Sequence, residues 1–477
     1  MGAGDGSDSS DEEIWNMLAG SAQEVADTED ASRSVVRTQP CEEPVVVPLP
    51  CKVVSAPVQP IVQAQREVMP VIPAPDTSKR NARVPKELLE NTDLNNAIAT
   101  ALPETWDFEV HRTIHRLRRV RATHVGLQMP EGVQRWATAL ADILRMFVPT
   151  LLSVTIFGEV SYGACCVDDL ASKAVGIDVL IHYGHSCIVP VDQTTITTFY
   201  IHVTIKLDVQ HLVETIQLNF SPDDRITFMG SVQFTGGMRE AVDKLKDFFS
   251  DRGGGRVPQV KPLGPGETLG CTSPHITDSD ALVFVCDGRF HLESAMIQNP
   301  HLKDAFYRYD PFQCTLTKEG FGFVDMHRSR RAAVEKAKEA KVVGLVLGTL
   351  GRQGSPGVLE EVERLLEKRG LQHFTLLATE VLPERLALFK GVDAWVQVAC
   401  PRLSLDWGDA FSSPLLTPYE AHIAFGSSVY QDVYPMDYYS NKGGPWANYG
   451  SHNGYGGTLS VKFRHLGSKA IRYDEPA

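Results

Sequence analysis

Three passages of the chain repeat one pattern: a buried-type strand, a glycine-bearing turn and an amphipathic helix. They read HVGLQMPEGVQRWATALADIL from His124, RITFMGSVQFTGGMREAVDKLKDFF from Arg225 and VVGLVLGTLGRQGSPGVLEEVERLL from Val342. A strand followed by a helix, repeated along a chain, is typical of a parallel sheet with helices on its faces. The three passages lie roughly one domain length apart, which is too far for a solenoid repeat. The pattern therefore predicts three similar α/β domains.

Charge and proline content separate a tail from the globular part. The first thirty residues carry nine acidic and no basic side chains, and residues 40–75 contain nine prolines threaded through valines. Such a segment cannot bury enough apolar surface to offset its ordering entropy. The predicted units are a disordered acidic and proline-rich tail (1–84), three α/β domains (85–210, 211–335 and 336–440) and a flexible C-terminal extension (441–477).

Overall composition narrows the classes of function. A formal net charge of -13 argues against bare nucleic acid as a main partner. No uncharged apolar run approaches the roughly 20 residues of a spanning helix, and the acidic N-terminus differs from the basic start of a signal peptide. Nine cysteines at irregular spacings argue against a disulfide framework and for a reducing compartment. We therefore expect a cytoplasmic protein without membrane association.

Three single cysteines stand in similar surroundings, one in each predicted domain. Cys165 lies in SYGACCVDD, Cys271 in LGCTSP and Cys400 in QVACPRL. Ligands bind at the carboxyl edge of open α/β sheets, so a thiol at that edge is suited to chemistry. Three thiolates that converge on one point would hold an iron-sulfur cluster and leave one iron open. The alternative is three separate thiols that only pack in their domains, since free cysteine is among the most buried residue types.

A second candidate metal group is formed by His182, His185 and Cys187 in HYGHSC. Imidazole and thiolate suit zinc, which would make the protein a zinc-stabilised α/β binding protein or a hydrolase. The spacing argues against this, because the three residues are crowded together and lack the paired CxxC pattern of structural zinc sites. Core histidines, or histidines that hydrogen-bond to cluster ligands, are the other interpretation. A pure scaffold, whose surfaces only bind a partner, is the third class of function.

Eight short motifs occur in order between residues 161 and 421, within a stretch of resemblance to a known family that covers roughly residues 85–439. They are SYGACCVDD, HYGHSC, LGCTSP, CDGRFHLES, RYDPF, LGTLGRQGSP, QVACPRLSLDWG and LLTPYEA. Together they resemble the catalytic subunits of the diphthamide-synthesis enzyme, the 2-(3-amino-3-carboxypropyl)histidine synthase. The resemblance implies three similar Rossmann-like domains with parallel sheets around a central cluster site. It identifies Cys165, Cys271 and Cys400 as the cluster ligands and catalytic residues, whereas Cys286 departs from the family pattern, which has glycine there.

The same resemblance implies a reaction and its partners. S-adenosylmethionine, the co-substrate, would bind the unique iron of a 4Fe-4S cluster. Radical chemistry would then transfer its 3-amino-3-carboxypropyl group to a histidine imidazole carbon of translation elongation factor two, the first step of diphthamide biosynthesis. The implied assembly is a heterodimer with a homologous companion subunit. A separate reductase or iron protein would supply the electron.

Two turns are candidates for binding S-adenosylmethionine. In the third repeat, Gly348 and Gly351 would let backbone amides approach a carboxylate, and Arg352 would add a bidentate fork. Ser355 suits the start of the following helix. The alternative is a tight connection without a ligand, and the GxxGxxG spacing differs from a dinucleotide-binding motif. In the first repeat, Gln128 occupies the corresponding turn and would contact the ligand or the cluster.

Overall fold

A computed structural model describes residues 84–158, 165–184, 189–191, 193–249 and 254–448. The segment predicted as a disordered tail, apart from its last residue, lies outside these ranges. Between Pro85 and Pro103 the chain forms two helices, Lys86–Leu89 and Thr92–Ala101. They are separated at Asn91, whose side chain accepts a hydrogen bond from the amide of Leu94. This N-cap explains the break.

The chain forms three large sheets, and the parts of the chain around them are called the first, second and third domains. In chain order the elements of the first are α1 (Lys86–Leu89), α2 (Thr92–Ala101), β1 (Trp106–Asp107), α3 (Val110–Val120), β2 (His124–Gln128), α4 (Glu131–Gln134), α5 (Ala137–Phe147), β3 (Ser153–Ile156), α6 (Asp169–Ala174), β4 (Val179–Tyr183) and β5 (Thr197–Ile201). Its four-stranded parallel sheet has the order β3-β2-β4-β5. Strands β2 and β4 lie in the middle of the sheet and are buried along nearly their whole length, as expected where helices cover both faces. The domain bounds given from the sequence stay a prediction.

The second domain has a five-stranded sheet in the order β11-β10-β9-β7-β8. Its strands are parallel except for β11, which pairs with β10 as an antiparallel hairpin. A separate antiparallel ribbon joins β6 to β1 of the first domain. The elements are β6 (Thr204–Ile205), α7 (Val209–Asn219), β7 (Arg225–Gly230), α8 (Thr235–Lys244), β8 (Gly254–Arg256), β9 (Ala281–Val285), α9 (Phe290–Gln298), β10 (Phe306–Asp310) and β11 (Thr315–Glu319).

The third domain has a parallel sheet in the order β13-β12-β14-β15. Gly344 in β12 permits this packing, because the indole ring of Trp395 in β14 occupies the space of a β-carbon there. The elements are α10 (Phe323–Lys338), β12 (Val342–Gly348), α11 (Pro356–Arg369), β13 (Gln372–Ala378), α12 (Pro383–Leu386), β14 (Ala394–Val398), α13 (Pro401–Trp407), β15 (Leu415–Leu416) and α14 (Pro418–Ala424).

A buried ion pair joins two helices of the third domain. Arg330 of α10 donates to both carboxylate oxygens of Glu420 in α14, at 2.8 and 2.7 Å, and its side chain is 1% exposed. The core of this domain also includes Trp446 and Ala447. These two residues belong to the segment 441–477 that was predicted as a flexible extension, of which residues 449–477 lie outside the described part of the chain.

The predicted α/β class with parallel sheets is confirmed, and the strand patterns that begin the three repeats correspond to β2, β7 and β12. Within the described residues, no helix has both the length and the apolar character needed to cross a membrane.

Candidate functional site at the junction of three domains

Each of the three cysteines lies in a segment that follows a strand of its own sheet. Cys165 precedes α6 of the first domain, and Cys400 lies two residues after the end of β14 as the N-cap of α13. Cys271 lies in the long connection between β8 and β9. That connection forms a bridge between Glu267 and Gly230, the last residue of β7. Cys271 therefore lies beyond the carboxyl end of β7, the edge at which ligands bind in α/β sheets.

The three thiols lie close enough to influence one another electrostatically. Partial burial raises the pKa of the Cys165 thiol well above its usual range, and Cys166 and Cys400 raise it further. Burial likewise raises the pKa of Cys271, with added contributions from Cys400 and Cys165. One thiol from each domain thus belongs to a single electrostatic group, as the convergence hypothesis requires.

Two neighbours stabilise negative charge on the sulfurs. Burial raises the pKa of Cys400 to about 11, while the amide and guanidinium of Arg402 oppose that rise. The hydroxyl of Thr272 donates to the sulfur of Cys271 at 3.8 Å, which also favours the thiolate. The net shifts are still upward, so the free thiols are protonated at neutral pH. A metal group bound here has to displace those protons.

The three cysteines are of the residue type that holds iron-sulfur clusters, since such clusters are ligated by thiolates. Cys165 and Cys400 keep some exposure, whereas Cys271 is buried. Across the described ranges, no three or more His, Cys, Asp or Glu side chains form a group that would hold one metal ion. Ligation of a cluster by the three cysteines stays a prediction.

Other cysteines in the described part of the chain have different surroundings. Cys286, the departure from the family pattern, is 1% exposed in the second-domain core, and its thiol donates to the carbonyl of Gly288 at 2.8 Å. Burial raises its pKa to about 12. Cys314 is disulfide-bonded. Cys286 is therefore a core residue.

Gln128 forms a hydrogen bond with the segment that follows Cys165 in the first domain. Its side-chain oxygen accepts from the amide of Asp168 at 3.1 Å and lies 2.9 Å from Nδ1 of His182. His182 is fully buried and packs edge-on against Tyr200. The other two residues of the proposed zinc group, at positions 185 and 187, lie outside the described residues. A ligand-binding role for Gln128 stays a prediction.

The third-domain turn packs against the cysteine segment of the first domain. Arg352 forms a bidentate ion pair with Asp169, with distances of 2.6 and 2.8 Å. Gly351 has a φ of +54°, and a β-carbon on it would lie 3.0 Å from the backbone of Val167. Ser355 is the buried N-cap residue of α11 and makes no side-chain capping bond. The carboxylate-binding role predicted for this turn stays a prediction. In this structure the guanidinium of Arg352 is paired with the carboxylate of Asp169.

Gly348, at the start of the same turn, packs against Ala399, the residue that directly precedes Cys400. A β-carbon at Gly348 would lie 2.8 Å from the β-carbon of Ala399, so the residue has to be small. Its carbonyl accepts from the amide of Gly354 at 3.1 Å. The turn is therefore in contact with two of the three cysteine segments.

Replacing Gly351 by alanine is expected to destabilise the protein by about 1–3 kcal/mol, because a left-handed residue would gain a β-carbon against backbone that cannot yield easily. Hydrogen exchange should show the loosening at residues 165–172. Gly132→Ala is the matched control, since nothing lies within 4 Å of a β-carbon there. Equal effects of the two substitutions would contradict the tight contact at Gly351.

A small pocket lies beside Cys400, where the chain from 436 to 448 covers the edge of the third sheet. Its lining residues are Gln353, Val358, Val398, Ala399, Pro401, Pro418, Tyr438, Tyr439, Trp446 and Asn448. The covering segment also binds the Cys271 region, because the amide of Tyr439 donates to the hydroxyl of Thr272 at 2.9 Å. The sequence interpretation missed this pocket, since the glycine-rich end of the chain has no helix or strand pattern.

Two further residues near the cysteines were also missed. Arg402, two residues after Cys400, contacts Glu293 and Phe290 of the second domain. Asp169, four residues after Cys165, contacts the third domain. A signal for them existed, because both charged residues lie inside the motifs that contain the cysteines.

Comparison with known proteins places the chain in a family. A family model described as "diphthamide synthesis protein" matches residues 129–435. The chain is 47% identical over 373 residues to 2-(3-amino-3-carboxypropyl)histidine synthase subunit 1 of Gallus gallus, which covers 77% of this chain and 89% of the relative. Its identity to the protein of the same name from Dictyostelium discoideum is 42% over 376 residues, 77% of this chain and 78% of the relative.

Solved structures agree with this relationship. The crystal structure of Dph2 from Pyrococcus horikoshii aligns with a TM-score of 0.56 and 26% identity, covering 69% of this chain and 93% of that one. A second structure of the same protein, with a 4Fe-4S cluster, aligns with a TM-score of 0.55 over the same shares. The chain therefore belongs to the diphthamide synthesis protein family, among the 2-(3-amino-3-carboxypropyl)histidine synthase subunits 1, and the predicted enzyme class, a transferase, is confirmed.

Proposed function

We propose that this chain transfers the 3-amino-3-carboxypropyl group of S-adenosylmethionine to a histidine imidazole carbon of translation elongation factor two, the first step of diphthamide biosynthesis. The observation that supports this most strongly is the grouping of Cys165, Cys271 and Cys400, one thiol from each domain, in a single electrostatic unit. The related Pyrococcus horikoshii protein, whose fold this chain shares, has been solved with a 4Fe-4S cluster. Three thiolates suit such a cluster when one iron must stay open for a ligand.

When bound, a reduced cluster would supply one electron to the sulfonium of S-adenosylmethionine, which breaks the bond between sulfur and the aminocarboxypropyl carbon. The residues of this chain hold and shield the site. Cys165, Cys271 and Cys400 would supply the thiolates, while Arg402 stabilises negative charge on Cys271 and Cys400. Burial of the site also limits the access of water, which protects a radical from quenching.

S-adenosylmethionine would bind along the third-domain turn and the pocket next to Cys400. The pocket offers aromatic rings at Tyr438 and Trp446 and amides at Gln353 and Asn448, groups that suit an adenosyl moiety. Arg352 could bind the ligand carboxylate only by releasing Asp169. The backbone amides of the turn are for that reason the better hydrogen-bond donors to the ligand carboxylate.

The proposed partners follow from the same family. The relatives are named subunit 1, which supports a companion subunit in the active complex. The protein substrate would be elongation factor two, and a separate reductase or iron protein would donate the electron. The site lies at the junction of three domains, where a histidine-bearing loop has to enter.

The complex of this chain with its companion, purified without oxygen, should contain iron and acid-labile sulfide. Incubation with S-adenosylmethionine, a reductant and elongation factor two should add the aminocarboxypropyl group to one histidine of the factor, as mass spectrometry would show. Omission of the reductant is the control, because electron supply is required for bond cleavage. Stoichiometric zinc without iron, together with no modified histidine, would contradict the proposal and support the zinc alternative.

A further inference from the structure

Two arginines of the third domain each contact a different domain close to its cysteine: Arg352 pairs with Asp169, and Arg402 contacts the helix whose Phe290 packs against Gly270. We infer that Arg352 and Arg402 are positioning residues, which set the spacing of the three thiols by fixing the first-domain and second-domain segments against the third. The inference rests on the proposed function, since it concerns how the thiols are arranged for a cluster.

The clamp to the first domain is a buried, bidentate ion pair. Nε and Nη2 of Arg352 donate to the two carboxylate oxygens of Asp169, at 2.6 and 2.8 Å, and Nη2 also donates to the carbonyl of Gln193 at 3.1 Å. The side chain of Asp169 is fully buried and that of Arg352 is 12% exposed. Asp169 begins α6, four residues after Cys165. The pair therefore fixes the end of the segment that contains this cysteine.

The amide of Thr195 gives Asp169 a second fixed neighbour, donating to its carboxylate at 2.6 Å. On the third-domain side, Gly351 lies against the backbone of Cys166 and Val167. The backbone contact of Gly351 and the ion pair of Arg352 thus come from adjacent residues of the third domain. Such an arrangement holds position better than a surface ion pair, which solvent screens.

The clamp to the second domain uses the other arginine. Arg402 donates to the carboxylate of Glu293 at 2.6 Å and to the carbonyl of Phe290 at 2.8 Å, and its guanidinium lies 4.4 Å from the centre of the Phe290 ring. The same ring occupies the space that a β-carbon on Gly270 would need. Gly270 directly precedes the second-domain cysteine, and Arg402 lies two residues after Cys400.

Both arginines belong to the third domain, and each joins that domain to a different one. Neither contact is therefore needed to build a sheet. Removing one partner of a buried pair leaves an uncompensated charge, which the segment relieves by moving. A metal group tolerates little change in ligand spacing, so this movement should appear first in how firmly the cluster is held.

The test uses the full chain with its companion subunit and compares Arg352→Met and Arg402→Met with wild type. After reconstitution with iron and sulfide, the rate of cluster loss to a chelator should rise by about 10- to 100-fold in each variant, as for residues that orient metal ligands. The electron paramagnetic resonance signal of the reduced cluster should broaden or shift. Arg369→Met is the matched control, because that arginine binds the carbonyls of Phe425 and Gly426 within its own domain.

Arg352→Lys keeps the charge and provides a second variant if the methionine substitutions prevent folding. It should give an intermediate rate of loss, because an ammonium cannot reproduce the bidentate fork. Rates and signals that match those of Arg369→Met would overturn the inference while leaving the proposed function intact. A wild-type complex that takes up no iron would overturn both.

Discussion

Replacing Cys165, Cys271 or Cys400 singly by serine is expected to remove nearly all bound iron and all transfer activity. The three thiols come from separate domains but form one electrostatic group, so the loss of any one leaves a cluster with two protein ligands. Serine is a poor ligand for iron in such clusters, since soft thiolates are preferred. Iron and sulfide per chain, measured after anaerobic reconstitution, would be the readout.

The matched control is Cys286→Ser. This thiol is also buried and free, but it donates to the carbonyl of Gly288, a bond that a hydroxyl can replace. We expect it to keep its iron. If Cys271→Ser retained a full cluster, the convergence of three thiols would be wrong. If Cys166 proved essential and Cys165 dispensable, the ligand would be the other member of the adjacent pair.

Replacing Arg330 by methionine is expected to lower the free energy of unfolding of the third domain by about 3–5 kcal/mol, the cost of breaking a buried pair by removing one partner. The carboxylate of Glu420 would lose both guanidinium bonds and keep contacts with its helix cap and with Tyr434. Hydrogen exchange at the amides of β12 and β14 would measure the effect, because it resolves stability region by region.

Arg328→Met on the same helix provides the control. Arg328 pairs with Asp325, but both side chains are more than 70% exposed, so the pair should contribute about 1 kcal/mol or less. The two substitutions change the same residue type and differ in burial. Similar losses of stability would contradict the dominant role of the buried pair.

The central strands could be predicted from the sequence because strands buried on both faces consist mostly of apolar residues. Strands β2, β7, β9 and β14 are runs of apolar residues next to glycine-bearing turns, and all four are parallel strands inside a sheet. Such strands are covered on both faces, so nearly every position has to be apolar. The helix that begins at Pro356 was predicted for an equally local reason, the serine that directly precedes it, and proline at the first turn has a backbone angle that suits a helix start.

The hairpin of β10 and β11 was not predicted. Its strands mix charged and apolar residues, because Arg308 and Glu319 form a buried ion pair between them. Charged residues normally indicate a surface, and only the fold shows that these two neutralise each other. The same reason hid Asp169 and Arg402, whose partners lie far away in the sequence. Pairing over such distances depends on how the domains meet, and no local pattern records that.

One measurement tests the account most directly: Mössbauer spectroscopy of the complex reconstituted with isotopically enriched iron, recorded with and without S-adenosylmethionine. Ligation by Cys165, Cys271 and Cys400 leaves one iron of a 4Fe-4S cluster without a protein thiolate. The account predicts that this one iron changes its signal when S-adenosylmethionine binds, while the other three do not. Four equivalent irons whose signals do not change when S-adenosylmethionine is added would contradict it, and so would a protein that contains zinc and no iron.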